Sequence, residues 1–438
     1  MRLNHLRRGS PGLARGVRLL ALTVCLAPGL AVAQVLDKYA PPTAYGYNDE
    51  AGVTVTTRLR PDYDAPGVKA GSFVVRPSVY SGLAYDDNLL GLKHKESGTI
   101  LGTGAALDVR SDWNRHALNG LLSFDNRHVM DGPSGYPSQS TTDYQGVLDG
   151  FYDLGRDRLR GAVYHQRLNQ SPADIASPTG QRSPTPYDLD GARVGYEKTF
   201  NRLTLTPQLE LSQYHYGSTK LGGEHVSQSD SDHRTAQAEL VARYETSPHR
   251  ALLGVVRAGT TSYDNDTPGQ SSLDSTGLSA LVGFDTQADA VFRYRALIGI
   301  ETRQYKSSDR DGQTTPVVEL GGVWTPDGLT TVTGTLSRTI QDATAGNQDE
   351  YVYTRGRVVV DHEFLRNLLL NASVGAEYAD FIESGGDNQT ILTTGVGATW
   401  LINRRLKLNA GYQFSQSVSD GPNDYNRNIL QLRLDIGF

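Results

Sequence analysis

The chain ends Leu430-Gln-Leu-Arg-Leu-Asp-Ile-Gly-Phe438. Leu430, Leu432, Leu434, Ile436 and Phe438 fall on one face of an extended backbone, and Gln431, Arg433, Asp435 and Gly437 on the other. Successive strand side chains point to opposite faces, so this stretch reads as a two-faced strand. The pattern recurs upstream. Phe292, Tyr294, Ala296, Ile298 and Ile300 oppose Arg293, Arg295, Gly299 and Glu301. Ala236, Ala238, Leu240, Ala242 and Tyr244 oppose Gln237, Glu239, Arg243 and Glu245. Any half-buried antiparallel strand alternates in this way, so the connections have to decide the fold.

From Gly71 onward the alternation predicts about eighteen strands, with sixteen as the alternative count. Every second connection is short: Trp113-Asn114, Gly155-Arg156, Asn201, Ser247-Pro248, Thr286–Asp289, Pro326-Asp327, Arg366 and Asn403-Arg404. The connections between them are mostly longer and polar: 86–96, 129–141, 169–186, 217–233, 264–272, 307–313, 342–350, 382–387 and 418–425. An even strand number with short turns at one end and longer loops at the other is the pattern of a bacterial outer-membrane barrel. A large secreted soluble β protein has no reason to sort its loops by length. The expected fold class is therefore all-β, a transmembrane antiparallel outer-membrane β-barrel over 71–438, in a Gram-negative bacterium.

The remainder of the chain fits export. Residues 1–33 carry Arg2, Arg7, Arg8, Arg15 and Arg18 and no acid, then an apolar run Leu19–Ala33 ending Ala31-Val32-Ala33. This is the order of a secretory signal peptide, with cleavage expected after Ala33. The single cysteine, Cys25, lies inside it, and Val24 before it is not the small residue expected of a lipoprotein. Residues 34–70, with Pro41-Pro42, Pro61 and Pro66, read as a mostly extended periplasmic arm. Composition excludes other classes. At 38% hydrophobic the chain cannot supply repeated membrane-spanning helices. One cysteine excludes a disulfide framework and a Cys-based metal site. A net charge of −6 argues against a nucleic-acid partner.

Aromatics cluster at strand ends. Trp113, Trp324 and Trp400 sit by short turns, and Tyr85, Tyr144, Tyr214, Tyr216, Tyr263, Tyr305, Tyr351 and Tyr425 by longer loops. They read as two girdles at the membrane interfaces. Phe438, with Ile436 and Leu434 on the same face, reads as the terminal signal for the barrel-assembly machinery. Outer-membrane lipid and lipopolysaccharide are the expected surroundings.

The run from the arm into the barrel reads Arg58-Leu-Arg-Pro61-Asp-Tyr63-Asp-Ala-Pro-Gly67, then Gly71-Ser-Phe73, Arg76-Pro77-Ser and Tyr85-Asp86-Asp87-Asn88. These runs resemble the putative β-barrel porin family of Gram-negative bacteria, over about 58–438. The resemblance implies an outer-membrane barrel and no catalytic residues. Such proteins often accompany exopolysaccharide synthesis and export, which implies a periplasmic polysaccharide-export partner.

Chemistry is sparse. No Gly-x-Ser-x-Gly elbow is present, and the ten histidines show no metal-ligand spacing. Asp309-Arg-Asp311-Gly312 lacks the glutamate a calcium loop needs, Leu320 standing there. No catalytic residue, cofactor or metal site is assigned, and the chain reads as a non-enzyme. The acidic runs Asp86-Asp87-Asn88, Asp230-Ser-Asp232 and Asp264-Asn-Asp266 read as turn chemistry.

The informative surface is the inward face. It carries Arg243, Arg257, Arg293, Arg295, Arg303, Arg355, Arg357, Lys407 and Arg433, with Glu239 and Glu301 among the acids. A basic excess along it would favour anionic sugars. The Pro-rich loops 129–141 and 169–186 are the candidates to fold inward. The expected function is a channel for hydrophilic solutes, saccharides first, with exopolysaccharide export implied by the resemblance. A general diffusion porin, a structural or adhesive barrel and a lipid-modifying enzyme are the rivals.

If Phe438 is read during assembly, Phe438→Ser lowers the folded, heat-modifiable form recovered from outer membranes severalfold, while Phe438→Tyr retains it. Gel mobility without heating measures both, and an unchanged Phe438→Ser band removes the assignment.

Overall fold

The computed structural model describes residues 53–438 apart from 176, 178–179, 222, 266–271, 288–290, 342–349, 382–387 and 421–422. Ala33, with the whole signal segment, and residues 34–52 of the arm lie outside the described residues. Eighteen long strands are described: β1 (Phe73–Asp86), β2 (Gly98–Ser111), β3 (Ala117–Val129), β4 (Thr141–Asp153), β5 (Arg158–Gln170), β6 (Thr185–Phe200), β7 (Leu203–Tyr216), β8 (His233–Ser247), β9 (Arg250–Tyr263), β10 (Ser275–Gln287), β11 (Phe292–Tyr305), β12 (Gln313–Trp324), β13 (Thr330–Gln341), β14 (Tyr351–Leu365), β15 (Leu368–Phe381), β16 (Gln389–Leu401), β17 (Leu406–Ser419) and β18 (Tyr425–Gly437).

Each strand pairs antiparallel with its chain neighbours, and β18 returns to β1, from Ser78 opposite Gly437 to Asp86 opposite Ile429. The sheet is closed, so no long strand is left with an open edge. The strand ends fall where the alternation places them; the connecting residues 266–271, 288–290, 342–349, 382–387 and 421–422 lie outside the described residues. The tight turns use backbone that few residues tolerate: Asn201 has φ 51° and Gly155 φ 100°. Asn and Gly enter that left-handed region most readily. Among the described residues no helix is long and apolar enough to cross a membrane.

The polarity of the wall is inverted relative to a soluble protein. Outward Leu430, Leu432, Val282, Ile298 and Ile300 are 61%, 53%, 65%, 61% and 60% exposed, while inward Glu239, Asp285, Glu377 and Arg433 are buried. A contiguous exposed apolar belt demands a covering phase, and for a closed barrel that phase is lipid. Leu434 lies on this belt, and Ile436 shares its register. Phe438, past the end of β18, is exposed, and its amide donates to the Pro77 carbonyl at 3.1 Å.

The aromatic girdles divide. Trp113, Trp324 and Trp400 are exposed at the short-turn end. At the loop end only Tyr85 and Tyr144 are exposed. Tyr214, Tyr216, Tyr263, Tyr305, Tyr351 and Tyr425 occupy the inward register, level in the ladders with His233, Ser275 and Ser417. The outer girdle expected from position along the strand is therefore corrected. Strand parity, not height, decides which phase a side chain meets.

The described part of the arm also departs from expectation. Residues 53–67 coil through turns closed by Arg58 N–H to Thr54 O and Asp64 N–H to Arg60 O. Val68–Ala70 then folds back on Phe73–Val75 as a short hairpin. Pro61 and Pro66 interrupt regular pairing, so local turns satisfy the backbone instead.

The two faces differ in what they tolerate. Leu432→Arg, on the lipid face, should lower unfolding free energy in vesicles by about 2–4 kcal/mol if it lies near the midplane. Gln431→Arg, one residue away on the lumen face, should change it by less than about 1 kcal/mol. Urea titration of the refolded barrel checks the contrast.

Candidate functional site

Strands about 4.8 Å apart and tilted about 40° enclose a lumen roughly 35 Å across, backbone to backbone. Unfilled, that would be a wide aqueous hole. Its contents therefore define the candidate site.

The charged side chains expected on the wall all sit in the inward register, and carboxylates meet many of them. Arg257 bridges strands: its Nε lies 2.5 Å from Glu239 on β8, and its Nη1 reaches Glu319 on β12. Arg295 and Arg243 converge on Asp285 at 3.0 and 3.6 Å. Arg303 contacts Glu350 at 3.1 Å. Glu301 accepts from the Thr339 hydroxyl at 2.9 Å. Arg433 pairs with Asp435 at 3.1 Å and lies over the Tyr80 ring. Arg355 stands opposite Glu377 in the ladder, Arg357 opposite Gly375, Arg293 opposite Gln287 and Lys407 opposite Asp435. A partly buried ion is costly unless paired, which accounts for the matching. Asp285, Glu319 and Glu350 offset the basic residues, so the basic excess of the expected set does not persist along the wall.

One inward patch is apolar. Leu253 and Val255 on β9, Leu281 on β10, Leu297 on β11 and Val317 on β12 pack together, with Val241 against them. Gly299 separates Leu281 from Val317 in the ladder, and a Cβ there would lie 2.0 Å from the Ala280 carbonyl oxygen. Leu297 shares the parity of Arg295 and Glu301, but an apolar residue on a polar face carries no pattern signal in the sequence.

The loop joining β5 to β6 crosses this lumen. Ile175, near its tip, packs against Tyr351, Tyr353, Ala379 and Ile391, with Phe381 beside them, on the inner faces of β14, β15 and β16. Those strands stand about half a circuit from β5. The Tyr425 hydroxyl on β18 donates to the Ala173 carbonyl at 2.6 Å. At the loop's base Gln139, from the 129–141 connection, donates to the Arg182 carbonyl at 2.7 Å. The inward tyrosines thus form the seat on which the loop rests. Both Pro-rich connections take part, the 169–186 one spanning the lumen and the 129–141 one bracing it.

The Tyr85-Asp86-Asp87-Asn88 run locks the seam beside this loop. The Arg427 guanidinium holds both Asp86 oxygens, the shortest contact being 2.5 Å, with Asp86 fully buried. Asp87 accepts from the Asn428 amide and side chain, each at 2.7 Å, and Asn88 donates to the Asn426 carbonyl at 3.0 Å. Burial opposes ionisation of Asp87, but bonds from Lys95 and Asn428 hold its carboxyl below the ordinary value. Sequence reasoning read this run as turn chemistry. Its partners lie at the other end of the chain, beyond any local signal.

Among the described residues no group of three or more His, Cys, Asp or Glu could hold a metal ion. His165 pairs with Asp190 on the outward register, and His233 stacks on Tyr214 deep under the loops.

A sequence-family profile described as putative beta-barrel porin 2 matches residues 60–438. No curated protein matches the chain. Several solved structures are similar. A BenF-like porin from Pseudomonas fluorescens Pf-5 is 10% identical at a TM-score of 0.45, covering 84% of this chain and 99% of that one. OpdK from Pseudomonas aeruginosa, solved with vanillate, is 11% identical at 0.43, covering 83% and 99%. OccK2 (OpdF) from Pseudomonas aeruginosa, in complex with glucuronate, is 11% identical at 0.44, covering 84% and 98%.

Ile175→Asp would place an ionised group in the tyrosine seat and free the loop tip. Limited proteolysis from outside should then cut the 171–184 segment much faster than in the parent, while Ile175→Leu leaves the rate unchanged. Equal rates for the parent and Ile175→Asp would show that the tip is not held by this contact.

Proposed function

The chain belongs to the putative beta-barrel porin 2 family, and from that premise we propose that it is a constricted outer-membrane channel for small hydrophilic solutes, saccharides first. Porins are channels rather than enzymes, and outer-membrane location follows from the same membership. The observation that carries the solute class is the 171–184 loop, pinned across a lumen whose wall alternates guanidinium and carboxylate. Such a wall offers donors and acceptors at fixed positions. A neutral polyhydroxylated solute exchanges its water bonds for these at little cost. An ion of either sign meets like charge as often as opposite charge, so strong ion selectivity is not favoured.

A second reading is export of a polysaccharide with a periplasmic partner. The arm docked at the periplasmic end favours it, because a partner there could reach the channel through it. A polymer would need the loop tip to leave its seat. The outward apolar belt would meet outer-membrane lipid and lipopolysaccharide in either case.

Reconstituted in planar bilayers, the protein should conduct in discrete steps, with cation and anion permeabilities within about threefold of each other. Liposome swelling should fall from mono- to di- to trisaccharide. A silent barrel would overturn the channel reading. Loss of secreted polysaccharide on deletion, with small-solute uptake unchanged, would favour export.

A further inference from the structure

Arg58, Arg60, Asp62 and Asp64 place two bases and then two acids at alternate positions, just ahead of the barrel. No strand of the barrel contains them. The periplasmic mouth presents the opposite order. Glu363, near the periplasmic end of β14, accepts from Arg60 Nη2 at 2.7 Å and from Arg58 Nη1 at 3.2 Å. Arg58 also donates to the Gly328 carbonyl in the turn between β12 and β13. Farther round the rim, Asp62 lies 3.9 Å from Arg404 and Asp64 lies 3.6 Å from Lys407.

The segment enters the mouth rather than lying outside it. Val55 is 1% exposed, and its amide donates to the Thr331 hydroxyl at 2.9 Å. Thr331, Glu363 and Lys407 share the inward register on β13, β14 and β17. The contacts differ in weight. The Asp62–Arg404 pair is exposed and contributes little. The Arg60 and Glu363 side chains are only 9% and 10% exposed, so breaking their pair leaves an uncompensated, largely desolvated charge. A clamp centred on Glu363 therefore holds the segment.

We propose that the periplasmic mouth is a peptide-recognition site, occupied by the chain's own residues 54–64, and that this contact narrows the entrance to the lumen from the periplasmic side. The ligand class is a short peptide carrying two arginines and then two acids at alternate residues. A periplasmic protein presenting such a segment, or drawing the arm away, would open the mouth. The inference rests on the channel reading above.

The test uses the full chain. Arg58→Glu with Arg60→Glu sets two acids against Glu363 where two guanidinium groups stood, and should raise mean conductance severalfold over the parent in planar bilayers. Adding Glu363→Lys should restore the parent value, because the pair reforms with reversed charge. That rescue distinguishes a clamp from a damaged fold. A synthetic peptide of residues 53–67, added on the periplasmic side, should block the double variant, and the same peptide with both arginines changed to Glu should not. Parent-like conductance of the double variant, or failure of Glu363→Lys to reverse it, overturns the proposal. Labelled peptide binding to the double variant separates the two readings. Binding without conductance in any variant keeps the recognition site but removes the narrowing and the channel, and no binding removes the site.

Discussion

Everything in this molecule follows from one requirement: a backbone facing hydrocarbon has to satisfy its own hydrogen bonds. A sheet can do so only by closing, and closure here depends on β18 finding β1. Nine ladder positions, from Ser78–Gly437 to Asp86–Ile429, join the chain's two ends. The Arg427–Asp86 and Asn428–Asp87 contacts fasten the seam at the loop end, and the Phe438 amide reaches Pro77 at the other. Within the wall these are the contacts of greatest sequence separation, and the rest of it is built from local hairpins. The loop-closure cost of this seam is the least locally determined step in forming the barrel.

Closure then sets the chemistry inside. Each strand gives one face to lipid and the other to the lumen, so polar groups accumulate where space is limited. Charges crowded in this way persist only when matched, and Arg257 shows how far the matching extends, joining β8 to β12 across the strands between them. The 171–184 loop exploits a different property of the wall. Tyr351, Tyr353 and Tyr425 combine apolar area with a hydroxyl, so they can bury Ile175 and also hold the Ala173 carbonyl. The contacts at the loop end are apolar packing, and those of residues 58–64 at the short-turn end are ion pairs. The two sets would therefore respond to different conditions, since salt screens the second far more than the first.

Much of this was written in the alternation. The turns and loops lie where the period-two pattern broke, because a strand that leaves the wall loses its lipid face at once. The inward placement of Arg243, Arg295 and Glu301 followed from their neighbours Leu240, Ile298 and Ile300. The same parity could have corrected the outer tyrosine girdle, since Tyr351 is in phase with Arg355 and Tyr425 with Arg433. Height along the strand is the weaker signal, because parity alone fixes which face a side chain takes. Leu281 and Leu297 were missed for the converse reason: they are in phase with the lumen but have the wrong polarity for it.

The sequence by itself determined the strands, their facing and the fact of closure, because lipid and water impose an alternation that each strand reports without its neighbours. The tertiary structure alone decided which distant groups meet: Glu319 with Arg257, Ile175 with the far wall, Glu363 with Arg58 and Arg60. Those meetings depend on how curvature brings side chains together across the lumen. Curvature is a property of the closed sheet as a whole, and no single strand encodes it.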